Sequence, residues 1–358
     1  MIDHSSVMVY CDNPVAQWQL NRCATRVNQC SDIQEFIQST HARKVSIFHV
    51  PFPYETGEGL LFEQRIDQVE EYSDQIIVIV SELHNVTVDF LLRYNSPKTK
   101  YFVCGVVDEL DTLPWMDWFT TTTHFYKTSN LKVLDQLAPF EPKPKMFDIL
   151  LGMPKPHRDI LNNYILDNQF DNQVILTYLG HPRSIVAGQD TSGWVWPAEG
   201  LEIIDTDLRW TVGQVKYHGE QMSLSQVVPI NIYKQTAYSV VAETNYANHY
   251  SFYTEKIVKP MLARRLFLVF SGQYYLRNLR SLGFQTFDGI IDESYDTVLD
   301  MNLRGKLITN QMEYLLAQDQ REILNAVRPI VEHNYQVLME TDWARQMSNQ
   351  LTELIVSK

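Results

Sequence analysis

The chain has 358 residues, of which 45% are apolar, and 30 Lys plus Arg stand against 43 Asp plus Glu for a formal net charge of −13. The apolar share excludes a disordered chain, and the length exceeds one ordinary domain, so two compact domains are expected. Acid excess repels phosphate backbones and anionic lipid on average, and the longest apolar runs, Ile76 to Val80 and Leu266 to Phe270, have five residues, too few to span a bilayer.

The first 140 residues alternate short apolar runs with polar, helix-permissive stretches. Val7 to Tyr10, Val45 to Val50, Ile76 to Val80 and Tyr101 to Val103 read as buried strands, with helices expected over Asp32 to Thr40 and Leu61 to Tyr72. This order predicts a parallel sheet covered by helices. Pro139, Pro142 and Pro144 then interrupt regular structure, so residues 141–145 are expected to link two domains. Beyond them come strands at Met146 to Leu151, Val174 to Tyr178, Ser239 to Ala242 and Leu266 to Phe270. Helices are expected at Pro156 to Leu166, Glu255 to Arg265 and Tyr274 to Leu282, and almost throughout from Lys306. The fold expected is α/β, with two Rossmann-like domains facing a central cleft and a helical C-terminal tail. Their ranges are 1–140 and 146–335, with a last helix in 336–358 that crosses back. Cys11, Cys23, Cys30 and Cys104 form no C-x-x-C pair, and reduced thiols are expected.

Chemistry concentrates in Val240-Val-Ala-Glu-Thr-Asn245, Phe252-Tyr-Thr-Glu-Lys256 and Val269-Phe-Ser-Gly272. This is a strand ending in polar residues, a helix opening and a second strand. Thr254 is placed to cap the helix, and Glu255 lies in the first turn, where the dipole favours a carboxylate. An ordinary dipole-matched cap uses the same residue types. Pro260 predicts a kink or a later helix start. Polar strand ends beside a helix N-terminus form the crevice where open α/β sheets bind nucleotides.

These segments resemble the donor half of two-domain GT-B glycosyltransferases, most closely the fucosyltransferase-like group. The resemblance implies that Glu255 grips sugar or ribose hydroxyls, that Lys256 neutralises the donor diphosphate, and that Glu243, Asn245 and Thr254 line the donor pocket. Upstream, Gly152-Met-Pro-Lys-Pro-His-Arg158 occupies the strand-to-helix turn where that family commonly places an Arg toward the phosphates. Arg158 is the candidate, with Lys155 second; an Arg can donate two parallel hydrogen bonds to a leaving diphosphate. Loss of Arg158 or of Glu255 is expected to abolish transfer without lowering the melting temperature.

In the N-terminal half, Ser81-Glu-Leu-His-Asn85 follows a strand. Inverting transfer needs a base for the acceptor hydroxyl. Glu82 is the first candidate and His84 the second; His49, Glu55 and Asp89 are alternatives, and a plain helix cap accounts for the segment equally well. Asp205-Thr-Asp207 is a D-x-D, read in a chain this acidic as a loop or cap, and no metal is assigned. In Asp292-Glu-Ser-Tyr-Asp296 the first acids are read as caps of the helix that follows. G-x-S-x-G, G-x-x-x-x-G-K-[ST], H-E-x-x-H and G-x-G-x-x-G are all absent.

The reading is an enzyme moving a sugar from a nucleoside diphosphate sugar, a co-substrate rather than a cofactor, to an acceptor hydroxyl without obligatory metal. The acceptor is a glycan or, since Gly283-Phe-Gln-Thr-Phe287 and its surroundings also look similar to glycosyltransferases of tailed bacteriophages, hydroxymethylated DNA. A DNA acceptor would call on a basic cleft from Arg264, Arg265, Arg277 and Arg280. A non-catalytic nucleotide- or carbohydrate-binding module is the other alternative. A cytoplasmic protein without a membrane span is expected, in the host cytoplasm if the source is viral.

Overall fold

The computed structural model describes residues 6–21, 27–50, 57–83, 85–129, 132–152, 154–178, 199–204, 214–248 and 250–357. The chain divides into two compact units, one comprising Met1–Asp117 with Asp342–Lys358 and the other Trp118–Thr341.

In the first unit, β1 (Val7–Cys11), α1 (Pro14–Asn21), β2 (Asn28–Cys30), α2 (Ile33–Gln38), β3 (Arg43–His49), α3 (Gly57–Val69), β4 (Gln75–Val80), α4 (Asn85–Arg93), β5 (Thr99–Val103), β6 (Gly105–Val106) and β7 (Thr112–Pro114) follow in order. Six strands form one sheet, β2-β1-β3-β4-β5-β7, parallel at every junction. Its middle strands are apolar because helices cover both faces; in β4, Ile76 to Val80 are all buried. Cys11, Cys30 and Cys104 are buried.

The second unit holds α5 (Asp117–Thr128), whose first residue closes the first unit, then β8 (Lys145–Leu151), α6 (Pro156–Asp167), β9 (Val174–Tyr178), β10 (Leu201–Ile203), β11 (Gln214–Tyr217), β12 (Glu220–Ser223) and α7 (Ile230–Tyr233). After them come β13 (Thr236–Ala242), β14 (Ser251–Phe252), α8 (Glu255–Leu262), β15 (Phe267–Phe270), α9 (Tyr275–Ser281), α10 (Met301–Leu316) and α11 (Gln320–Glu340). Its main sheet is parallel, in the order β15-β13-β8-β9, and β10-β11-β12 form an antiparallel meander. The last helix, α12 (Trp343–Val356), packs in the first unit: Arg43 donates from Nε to the Ile355 carbonyl and from Nη2 to that of Leu354, both at 2.8 Å. No helix among the described residues is long and apolar enough to cross a membrane.

The proline-rich segment expected as a linker lies inside the second unit, because contacts on both sides hold it there. Lys143 Nζ donates to the carbonyls of Leu137 (2.8 Å) and Ala138 (2.9 Å), and Tyr126 Oη, on α5, accepts from Val228 N at 2.8 Å. The sheet's core is polar at one place. Asp148 and Arg265 are both about 4% exposed and pair at 2.6 Å, with Thr236 and Ser239 also donating to the carboxylate. α8 starts at Glu255 as the Thr254 cap predicts, and Pro260 is accommodated inside it rather than delaying its start.

Candidate functional site

Each parallel sheet has one place where the chain leaves a strand in one direction and later returns on its other side. The carboxyl ends there open a crevice, since the two connections depart to opposite sides. In the second unit this switch lies between β8 and β13, because β9 pairs on the far edge of β8. Residues after these two strands meet there. Lys155 Nζ donates to the Thr244 carbonyl (2.8 Å), His157 Nε2 to that of Glu243 (2.9 Å), and Arg158 Nη2 to those of Ala242 (3.3 Å) and Glu243 (3.4 Å). From α8, Lys256 Nζ reaches Thr244 Oγ1 at 3.4 Å. Three cations from two helix openings therefore converge on the end of β13.

They do not converge equally. Arg158 is 3% exposed and its guanidinium is spent on main-chain carbonyls beneath Gly152, where an added Cβ would lie 3.1 Å from Nη1. The structure thus corrects the expectation that Arg158 can be lost without a stability cost, because its removal strips donors from buried carbonyls. Lys155 and Lys256 are only partly covered. His157 is wholly buried and stacked on Tyr246 (4.3 Å between centroids); burial first, then Arg158, pushes its imidazole down to about 2. A neutral ring donating from Nε2 leaves Nδ1 as an acceptor, and this atom is buried without a hydrogen-bond partner.

Glu243 is fully buried, and its carboxylate accepts from Thr254 Oγ1 (2.7 Å), Tyr275 Oη (3.0 Å), Thr244 N (3.3 Å) and Thr254 N (3.4 Å). It ties the strand end to the cap of α8, and burial pushes its carboxyl up against the pull of Lys256. Thr254 Oγ1 accepts from Lys256 N at 3.3 Å, the capping bond. Burial also raises Glu255, but Lys256, bonded to it at 3.1 Å, and Lys259 outweigh that and hold it below the usual carboxylate range. Asn245 Nδ2 binds Tyr250 O and Asn248 Oδ1, each at 2.6 Å. That loop crosses so close to Gly272 that a Cβ there would lie 2.7 Å from the Asn248 carbonyl oxygen, which is why Ser271 is followed by glycine. A cavity of about 40 Å³ opens between α8 and the sheet, lined by Lys256, Lys259, Asp148, Tyr233 and Ser239 among others.

In the first unit the switch lies between β1 and β3. Asp12, just past β1, accepts from His49 N at 3.1 Å, and Asn13 Nδ2 donates to the His49 carbonyl at 3.2 Å. The ring of His49 bonds through Nε2 to Ser81 Oγ (3.2 Å), past the end of β4. The Asp12 carboxylate is fully covered, with Arg65 at 3.6 Å. Burial pushes the Asp12 carboxyl up to about 7 and the His49 imidazole down to about 4. Sequence reasoning kept His49 as an alternative and missed Asp12; an acid directly after an apolar strand was the available signal. Glu82 adjoins Ser81 and is partly exposed, whereas His84 and Glu55 lie outside the described residues.

Asp292 accepts from Ser294 N at 2.8 Å at the opening of the short turn Ser294–Thr297, whereas Asp296 serves α9. Its oxygens accept from Leu276 N (2.7 Å) and Arg277 N (3.0 Å) at the opening of α9, and α10 is capped by Asp300. Asp205 and Asp207 lie outside the described residues, among which no group of three His, Cys, Asp or Glu is arranged for a metal ion. The four arginines expected to line a basic cleft are engaged within the protein: Arg265 with Asp148, Arg264 with Glu332 and the Tyr335 ring, Arg280 with Glu293, and Arg277 with the Tyr274 ring. Comparison of the chain with family models, curated proteins and solved structures finds no match to any of them.

Proposed function

We propose that the protein is a glycosyltransferase of the two-domain GT-B kind, moving a sugar from a nucleoside diphosphate sugar to a hydroxyl with inversion. The second unit is the donor half and the first the acceptor half. One observation carries this reading: Lys155 and Lys256, from separate helix openings, meet at the end of β13 beside the capped N-terminus of α8. Side-chain cations at a switch point favour an oxyanion. In the reaction the bond from the anomeric carbon to the diphosphate oxygen breaks, and its electron pair leaves with the diphosphate. Lys155 and Lys256 stabilise that developing charge. Glu255, Glu243 and Asn245 fix the donor and the loops around it, and Arg158 holds the strand end that presents Thr244. The acceptor oxygen forms the new bond, and its proton passes to a base at the carboxyl end of the first sheet, where Glu82 and His49 are both competent.

A glycan acceptor fits better than DNA, since the arginines that would bind DNA are engaged internally and the net charge is −13. The test is incubation with a panel of nucleotide sugars, scored by release of nucleoside diphosphate. Release that depends on Lys256 supports the reading. Thermal stabilisation by nucleotides with no turnover of any donor would replace it with a binding module.

A further inference from the structure

We infer that the cavity beneath α8 is an oxyanion site in which Lys259, together with Lys256, receives a phosphoryl group. Lys259 lies one helical turn beyond Lys256 and on the same face of α8, and both line the cavity. Lys256 has partners in Glu255, Thr254 and Thr244, whereas Lys259 makes no hydrogen bond or ion pair with any described residue. An ammonium has three hydrogens to place, and Lys259, partly covered like Lys256, has no acceptor for them among the described residues, so solvent or a ligand must supply it.

The neighbouring acids are committed elsewhere. Asp148 accepts from Arg265, Thr236 and Ser239, Glu243 from Thr254 and Tyr275, and Glu255 from Lys256. Tyr233 completes the titratable groups on the cavity wall, and the short turn Leu224–Gln226, which packs on α8, brings none. α11 also packs on α8, where its Glu332 is engaged by Arg264. Asp148 is paired with Arg265 and Glu255 with Lys256, while Glu243, pushed toward its neutral form by burial, accepts only from uncharged groups, so Lys259 is left without an ion-pair partner among the described residues. The cavity, about 40 Å³, has room for a few waters or one small oxyanion. Burial pushes the Lys259 ammonium down to about 8, against the pull of Glu255, so most of the charge is present at neutral pH and is lost in mild alkali.

That the phosphoryl group belongs to a donor diphosphate rests on the reading above; oxyanion binding by itself does not. Calorimetric titration of the full chain with pyrophosphate, a nucleoside diphosphate and the bare nucleoside, at about pH 7 and about pH 9.5, tests it. The wild type is expected to bind pyrophosphate and the diphosphate, but not the nucleoside, roughly tenfold more weakly at the higher pH. Lys259→Met is expected to lose about tenfold at neutral pH together with the pH dependence, and Lys259→Arg to keep the affinity while losing the pH limb. A cooperative thermal transition in each variant confirms folding. Wild-type affinity and pH slope in Lys259→Met, or no pyrophosphate binding by the wild type, overturns the inference. Lys259-dependent pyrophosphate binding without turnover of any nucleotide sugar sustains it and removes the glycosyltransferase reading instead.

Discussion

The two switch points are built alike and charged differently. Both put a polar residue just after the first strand of a parallel sheet against the end of its neighbour, Asp12 against His49 in one unit and the Lys155–Arg158 turn against Glu243 and Thr244 in the other. In the second unit cations crowd the strand end and the nearest carboxylates are satisfied, so the arrangement favours an incoming anion. The first unit instead buries a carboxylate and an imidazole that both favour their neutral forms. One topology thus carries a cation-rich strand end in one unit and a buried acid–imidazole pair in the other, and the side chains after the strands make the difference.

The most severe way to break this contrast is to remove the cations. Lys256→Ala should reduce nucleoside diphosphate release by about 10²–10³-fold, as loss of one preorganised charge does, with a stability loss of only about 1 kcal/mol as Glu255 loses its partly exposed partner. Arg158→Ala should differ in kind: chemical denaturation is expected to show a loss of about 3 kcal/mol, since buried carbonyls lose their donor.

Asp12→Asn sharpens the contrast from the other unit. With a carboxyl at about 7 when folded, against about 4 when unfolded, the folded state binds the extra proton between those values, so Asp12 lowers stability progressively as pH rises through that window. His49, at about 4 folded and ordinarily about 6.5, acts in the opposite sense, raising stability as pH climbs from about 4 to 6.5. The two nearly offset in the wild type. In Asp12→Asn the His49 contribution stands alone, so melting temperatures should climb over that window and exceed wild type by about 3 °C at neutral pH. A flat profile identical to wild type would show that the Asp12 carboxyl is solvated. The smallest effect is expected for Arg93→Ala, which removes an exposed pair with Glu63 (2.7 Å) and should change stability by no more than about 0.5 kcal/mol.

Much of the fold was legible because buried parallel strands announce themselves. Val174–Tyr178 is a strand over the expected residues, and Gln75–Val80 differs from expectation by one. β2 escaped notice because Asn28 and Gln29 are exposed at a sheet edge, where nothing demands an apolar run. At the candidate site the Thr254 cap and the Lys256 turn could be read locally, since a cap acts within one turn. The exposure of Arg158 could not: whether its guanidinium meets solvent or the carbonyl of Glu243, 85 positions away, depends on how α6 docks on β13.

From residue order alone came the α/β class, the run of buried strands, the polar strand ends and the capped opening of α8, all of which follow from periodicity and short-range hydrogen bonding. Tertiary structure alone decided which strand ends adjoin, that Asp12 and His49 meet across 37 positions, and that Lys259 lines a cavity whose nearby acids are bonded to other groups. Desolvation and charge pairing depend on what surrounds a group in space, and sequence neighbours supply little of that surrounding.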